Sequence, residues 1–234
     1  MNLDNTVALV AGASGDIGRV ISFELLRGGA DVFMLGRSIP RLAQFPPPED
    51  ARGICHYIAA DLTAEGAVER IAAEISPKRR VDVLVLSSGT YERSRERVAF
   101  DRQIAANLVG PYALLQALLP SLIEAKGQIV FINSTQALKA TAGVGQYAAT
   151  KHALKAVADS LRDEVNPDGV RVTSVFLGRT ASERQRAIFA AEGRAYPPER
   201  LIQPSDVARA VVFLLQLPQT SEVTEIVLRP MQKS

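Results

Sequence analysis

Thr6-Val-Ala-Leu-Val-Ala-Gly12-Ala-Ser-Gly15-Asp-Ile-Gly18 sets an apolar run, a glycine-rich turn and the start of a helix in immediate succession. The run over 6–11 reads as a buried strand. Val20, Ile21, Phe23, Leu25 and Leu26 then describe a helix that stops at Gly28-Gly29. A strand, a glycine turn and a helix N-terminus together present bare backbone N–H groups to an anion. Gly12, Gly15 and Gly18 are not spaced as G-x-G-x-x-G, so the turn taken alone fits a phosphate cradle and a plain turn equally well.

Working outward, the same alternation recurs. Apolar runs at 31–36, 54–59, 81–86, 127–132, 170–176 and 225–229 read as further strands, with helical patterns between them. The segment 39–53 holds four prolines and reads as irregular. Thr63 is placed to cap a helix of about 14 residues with Val68, Ile71, Ala72 and Ile75 on one face. A long helix follows, with Val98, Ile104, Leu108, Tyr112, Leu115, Leu119 and Leu122 on its apolar face. Pro111 lies inside it and lacks the N–H that the Asn107 carbonyl would accept, so a kink is expected there. Residues 179–203 read as a mobile segment with a short helix, and Ser205 is placed to cap a helix running to Leu217.

Continuous apolar strands alternating with helices imply an α/β fold, a doubly wound, Rossmann-like parallel sheet of about seven strands with helices on both faces. No repeat or linker divides the chain, so 1–234 is expected to be a single dinucleotide-binding and catalytic domain. Right-handed crossovers put every strand's C-terminal end on one edge, where ligands bind. The Gly12 turn, Arg37, Asp61, Ser87 to Gly89, Ser134 and Leu177-Gly178 all fall there. At Arg37 an acidic residue would hold a ribose 2′-hydroxyl; an arginine suits a 2′-phosphate, or is simply on the surface.

Composition narrows the function classes. The 234 residues are 47% hydrophobic and 22% charged, with 27 basic against 25 acidic side chains and no basic run, which disfavours nucleic acid. Cys55 is the sole cysteine and excludes an internal disulfide, and His56 and His152 are too few for a usual metal site. No leader, lipidation motif or long apolar span stands out, so no membrane association and a cytoplasmic setting are expected.

Tyr147 and Lys151 stand four apart in a helical pattern ended by Asn166-Pro167-Asp168-Gly169, which places them on one face. An ammonium beside a phenol moves its pKa toward neutrality and makes it a tuned acid/base. The same spacing also suits a core tyrosine with a surface lysine.

Taken together, these residues resemble the short-chain dehydrogenase/reductases, in their short single-domain branch, over nearly the whole length. The family's T-G-x-x-x-G-x-G meets Ala11 to Gly18: Gly12, Ile17 and Gly18 match, while Asp16 replaces the central glycine with Gly15 one place early. Asn-Asn-Ala-Gly meets Leu86-Ser87-Ser88-Gly89, and Asn-x-x-Gly is intact at Asn107 to Gly110. Ser134 matches the catalytic serine, and Tyr147 and Lys151 match Tyr-x-x-x-Lys. Leu177-Gly178 stands where the family has Pro-Gly, which is expected to loosen the turn behind the nicotinamide.

The resemblance implies hydride transfer between NADP(H), ahead of NAD(H), and a small carbonyl or alcohol. Tyr147 would be the acid/base, Lys151 would lower its pKa and bind the ribose, Ser134 would hold the substrate oxygen, and the Asn107 carbonyl would hold a relay water. The cofactor would meet Gly12, Ser14, Gly15, Asp16, Ile17, Gly18, Arg37, Asp61, Leu62, Ser88, Gly89, Tyr147, Lys151, Gly178 and Thr180, with no metal. Thr90, Tyr91, Gln136, Leu138, Val144 and the stretch 179–203 would form the substrate wall. Arg179, Arg184 and Arg186 suit an anionic substrate, the cofactor phosphate or a solvated helix face. A homodimer or homotetramer is implied. Two other readings remain: a dinucleotide-binding regulator with weak catalysis, and a structural subunit of an oxidoreductase assembly.

Overall fold

The computed structural model describes residues 3–75 and 80–232. The strands are β1 (Val7–Ala11), β2 (Asp31–Gly36), β3 (Cys55–Ala59), β4 (Val83–Leu86), β5 (Gln128–Ser134), β6 (Arg171–Leu177) and β7 (Glu225–Leu228). All pair in parallel in the order β3-β2-β1-β4-β5-β6-β7. Chain order reverses at β1, so the crevice beyond the C-terminal ends of β1 and β4 is the topological switch point.

Helices cover both faces, and alternate strand residues serve one layer or the other. Ala8, Val10, Met34, Val85, Val130 and Val175 pack against α1 (Asp16–Arg27) and α8 (Pro204–Leu215). Leu9, Phe33, Leu84, Phe131 and Val172 pack against α3 (Ala67–Ile75), α5 (Gly110–Ala125) and α6 (Gly145–Val165). The remaining helices are α2 (Ile39–Ala43), α4 (Arg97–Ile104) and α7 (Glu183–Ala191).

Several local expectations are corrected. The proline-rich connection contains the short α2 before becoming irregular. Thr63 does not cap α3, because its N–H and hydroxyl both go to Asp61 Oδ1 at 2.9 and 2.7 Å; the helix starts at Ala67, and residue 76 lies outside the described residues. The cap of α8 is Gln203, not Ser205, with Pro204 in the first turn and Asp206 Oδ2 accepting from the Gln203 N–H at 2.9 Å.

The expected kink near Pro111 takes the form of a π turn over Ala105–Val109 between α4 and α5. Pro111 follows this wider turn directly, inside a helix that runs on from 97 to 125, and the local change of pitch accommodates its missing N–H. It also rotates the buried face: Leu114, Leu115, Leu118 and Leu122 are buried, while Val98 and Tyr112 are exposed. The run 97–125 is long and apolar enough to cross a membrane by length and composition, contrary to expectation, but those leucines pack against the sheet.

Candidate active site

The glycine turn is shaped by close backbone approach. Gly12 has φ of +82°, and a Cβ there would lie 2.7 Å from backbone atoms of Ser87 and Ser88. A Cβ on Gly18 would overlap the Gly12 carbonyl, so α1 can start directly on the turn only with glycine here. Gly15 differs: its Cβ would meet only the Gly12 oxygen, at 3.4 Å. The space left at Gly15 opens on a cavity of about 520 Å³ beside the N-terminus of α1. First-turn N–H groups and an absent side chain fit a dinucleotide diphosphate.

Asp16 lines this cavity with its carboxylate already engaged. Arg19 approaches one oxygen at 3.2 Å, and the Glu183 N–H donates to the other at 2.9 Å. The next residue, Arg184, donates to the Gly89 carbonyl at 2.5 Å. The start of α7 is thus tied across the sheet edge to the turns after β1 and β4.

Gly12, Gly15, Asp16, Ile17, Gly18 and Ser88 line the cavity on the β1 and β4 side. Ser134, Tyr147, Lys151, Gly178 and Thr180 line it on the β5 and β6 side. Six predicted residues lie outside this lining. Ser14 sits against Gly36, and Leu62 against Gly110. Arg37 is exposed beyond β2. Asp61 follows β3, where hydrogen bonds from the Thr63 backbone and hydroxyl, with the Arg37 charge, hold its carboxyl below the usual range. Gly89 touches the site through its carbonyl, and Asn107 is fully buried behind it. Of the substrate-wall residues, Tyr91, Gln136 and Val144 line the cavity; Thr90 and Leu138 do not.

Asn107 acts through its side chain. Its Oδ1 accepts from the Thr90 N–H at 2.6 Å, and its Nδ2 donates to the Thr90 carbonyl at 2.9 Å and to Thr150 Oγ1 at 3.1 Å. The Thr150 hydroxyl donates to the Tyr147 carbonyl at 2.8 Å, and Asn133 Nδ2 donates to the Lys151 carbonyl at 3.2 Å. Sequence reasoning missed Asn133 and Thr150 as supports. Their signals were a polar residue closing an apolar strand and a hydroxyl between the tyrosine and the lysine. It also missed Arg41 in the cavity wall, four residues after Arg37 and on α2.

Burial dominates the electrostatics of the pair. Burial pushes the Lys151 ammonium down to about 7, and the Arg184 charge adds to the shift. Burial raises Tyr147, opposed by the Arg184 charge and a hydrogen bond with Ser134, while Tyr91 pushes it further up. Lys151 Nζ lies 5.8 Å from the Tyr147 ring centroid, and Arg184 is a second cation that lowers the phenol.

The Leu177 substitution does not loosen its turn. Leu177 is buried, pairs with Ser134 on one side and Leu228 on the other, and Gly178 N–H donates to the Leu228 carbonyl at 2.8 Å.

Comparison with known proteins agrees with this fold. The family model described as short chain dehydrogenase matches residues 6–193. An uncharacterized oxidoreductase of Staphylococcus epidermidis is 29% identical over 230 residues, covering 96% of each chain. An uncharacterized short-chain type dehydrogenase/reductase of Sinorhizobium fredii is 30% identical, over 96% of this chain and 91% of its own. Among solved structures, an alcohol dehydrogenase from the archaeon Thermococcus sibiricus, complexed with 5-hydroxy-NADP, superposes with a TM-score of 0.81 at 27% identity, covering 98% of each chain.

Proposed function

The chain belongs to the short-chain dehydrogenase/reductase family, and from that premise we propose that it is an oxidoreductase moving a hydride between NADP(H) and a carbonyl or alcohol, with Tyr147 as the acid/base. The observation that carries this reading is the convergence of Ser134, Tyr147 and Lys151 with the glycine turn on one cavity at the switch point.

A nicotinamide dinucleotide, when bound, supplies or accepts the hydride. The α1 N-terminus and the space at Gly15 would hold its diphosphate, and Arg37 and Arg41 beyond β2 would favour a 2′-phosphate. Tyr147 stays protonated at neutral pH because burial raises its pKa, so it has a proton to give to a carbonyl oxygen as the carbon is reduced. Ser134 donates to the same oxygen and stabilises charge developing there. Lys151, titrating near neutrality, takes and returns a proton at Nζ and binds ribose hydroxyls. Asn107 holds the Thr90 loop and Thr150 in place around the pair. Residues 179–203 supply the substrate wall through α7.

The reading extends to a homodimer or homotetramer, supported by exposed Val109 and Tyr112 around the start of α5, Phe213 on α8 and Val227 on β7. Sedimentation of the pure protein tests that extension.

The primary test is a pair of fluorescence titrations with NADPH and NADH, following nicotinamide emission in a chain with 0 tryptophans. Micromolar NADPH binding with much weaker NADH binding is expected, followed by turnover on a carbonyl panel. Failure of both nucleotides to bind overturns the reading.

A further inference from the structure

Beyond the acid/base pair, the cavity ends in a charge cluster that hydride transfer does not use. Tyr91 meets the Tyr147 ring edge-on at a centroid distance of 5.2 Å, and past it stand Arg93, Arg179 and Glu192, all in the same cavity wall. All three act electrostatically on the Tyr91 hydroxyl, which places them beside the ring that touches Tyr147.

The charges in this cluster do not balance. Arg179 Nη2 donates to both Glu192 oxygens at 3.1 and 3.0 Å, Arg194 reaches one at 3.3 Å, and Arg93 stands 3.8 Å from the other. Three guanidinium groups share one carboxylate. Arg179 is also fixed in place: it lies over the Phe189 ring at 4.6 Å, and its side chain is 30% exposed. Yet its Nη1 is buried with no hydrogen-bond partner among the described residues. That atom is closed off from the cavity, so what an anion there meets is the exposed part of the Arg179 side chain, together with Arg93, in a cluster with excess positive charge. Arg93 is looser: 54% exposed, resting against Gly143 with its distant approach to Glu192 as its ion pair. The same cavity is also lined by Tyr91, Val144 and Ile188, which suits an uncharged spacer.

We propose that this cavity selects carbonyl or alcohol substrates carrying an anionic group, a carboxylate in the first instance, which Arg93 and Arg179 bind while the reacting carbon faces Tyr147. The proposal rests on the hydride-transfer reading of the same cavity. Glu192 holds the two arginines in place until the anion arrives, and it competes with that anion for them.

The test uses para-formylbenzoate and its methyl ester, two aldehydes that differ in one charge. Their binding to the full-length protein is measured by titration calorimetry without nucleotide, and their reduction with NADPH and with NADH. The anion is expected to bind at least tenfold more tightly than the ester, and to show a kcat/KM at least tenfold higher. Arg93→Ala, at an exposed position, is expected to reduce both ratios at least fivefold. Glu192→Gln is expected to raise the anion's affinity at least threefold, which a purely structural strut would not do. Reduction of both aldehydes with equal affinity and equal kcat/KM overturns the anion site and leaves hydride transfer standing. Preferential anion binding with neither aldehyde reduced by either nucleotide sustains the arginine site and counts against hydride transfer. Binding of neither aldehyde overturns the proposal.

Discussion

Replacing Lys151 by methionine should stabilise the protein, and by an amount that depends on pH in a defined direction. Lys151 is 5% exposed and its pKa falls from 10.5 in a free chain to about 7 in the fold. A lysine whose folded pKa is depressed opposes folding. The cost is complete below the folded pKa, where the buried ammonium must stay charged, shrinks as pH rises from about 7 to 10.5, and vanishes above that. At about 1.4 kcal/mol for each tenfold change in proton affinity, the full cost is on the order of 5 kcal/mol, an upper bound because water entry relieves some of it. Methionine keeps much of the stem and removes the charge. The Asn133 bond to the residue 151 carbonyl is unaffected, since it uses the backbone.

Urea unfolding of both proteins at pH 6 and pH 9, at equal protomer concentration, gives the difference in stability at each pH. Contributions from every other titrating group cancel in that difference. The variant should be more stable at pH 6 by about 2–4 kcal/mol, and the gap should narrow by about 2–3 kcal/mol at pH 9. A gap that is independent of pH would mean that Lys151 keeps an ordinary pKa in the fold, and one that widens toward pH 9 that its folded pKa is raised; either would refute the reasoning. The same variant should be inactive, so the group destabilises the fold where the chemistry needs it.

Three further outcomes follow. Tyr147→Phe should lower turnover at least a hundredfold while NADPH affinity stays within about threefold, as measured by steady-state kinetics and fluorescence titration; near-normal turnover would remove Tyr147 from the acid/base role. Arg37→Asp should raise the NADPH dissociation constant at least tenfold more than that of NADH, by the same titration, and equal changes would end the 2′-phosphate assignment. Asn107→Ala strips both Thr90 backbone groups of their partner and removes the donor to Thr150 Oγ1, which keeps its bond to the Tyr147 carbonyl. It should cost about 2–3 kcal/mol in urea unfolding at pH 7, and a loss below about 0.5 kcal/mol would show that the clamp does not hold the loop.

The strands were legible because each is a short apolar run closed by glycine or a polar residue, and that signal survives whatever packs on it. β2 falls at 31–36 as expected for this reason. Helix starts were not, because a capping side chain has local rivals the sequence cannot rank. Thr63 bonds to Asp61 two residues back, and at α8 Gln203 outcompetes Ser205 because Pro204 suits the first helical turn. The face of the long helix was misjudged since periodicity assumes one uniform pitch, and the π turn at Ala105–Val109 adds a residue partway along.

At the site the sequence shows the residue types that chemistry requires, but not the charges delivered by chain far away in sequence. Asp16 illustrates the difference. Read in sequence, it is a carboxylate intruding on a phosphate turn. In the fold it accepts the Glu183 N–H from the start of α7, and the adjacent Arg184 then reaches the Gly89 carbonyl. Arg184 is the cation that acts on both Tyr147 and Lys151. The residue that departs from the family pattern in the glycine turn therefore helps set the charge felt by the acid/base pair, through a helix that begins 167 residues later. No local reading of the turn could contain that connection, because it exists only once β1, β4 and β6 end on the same edge.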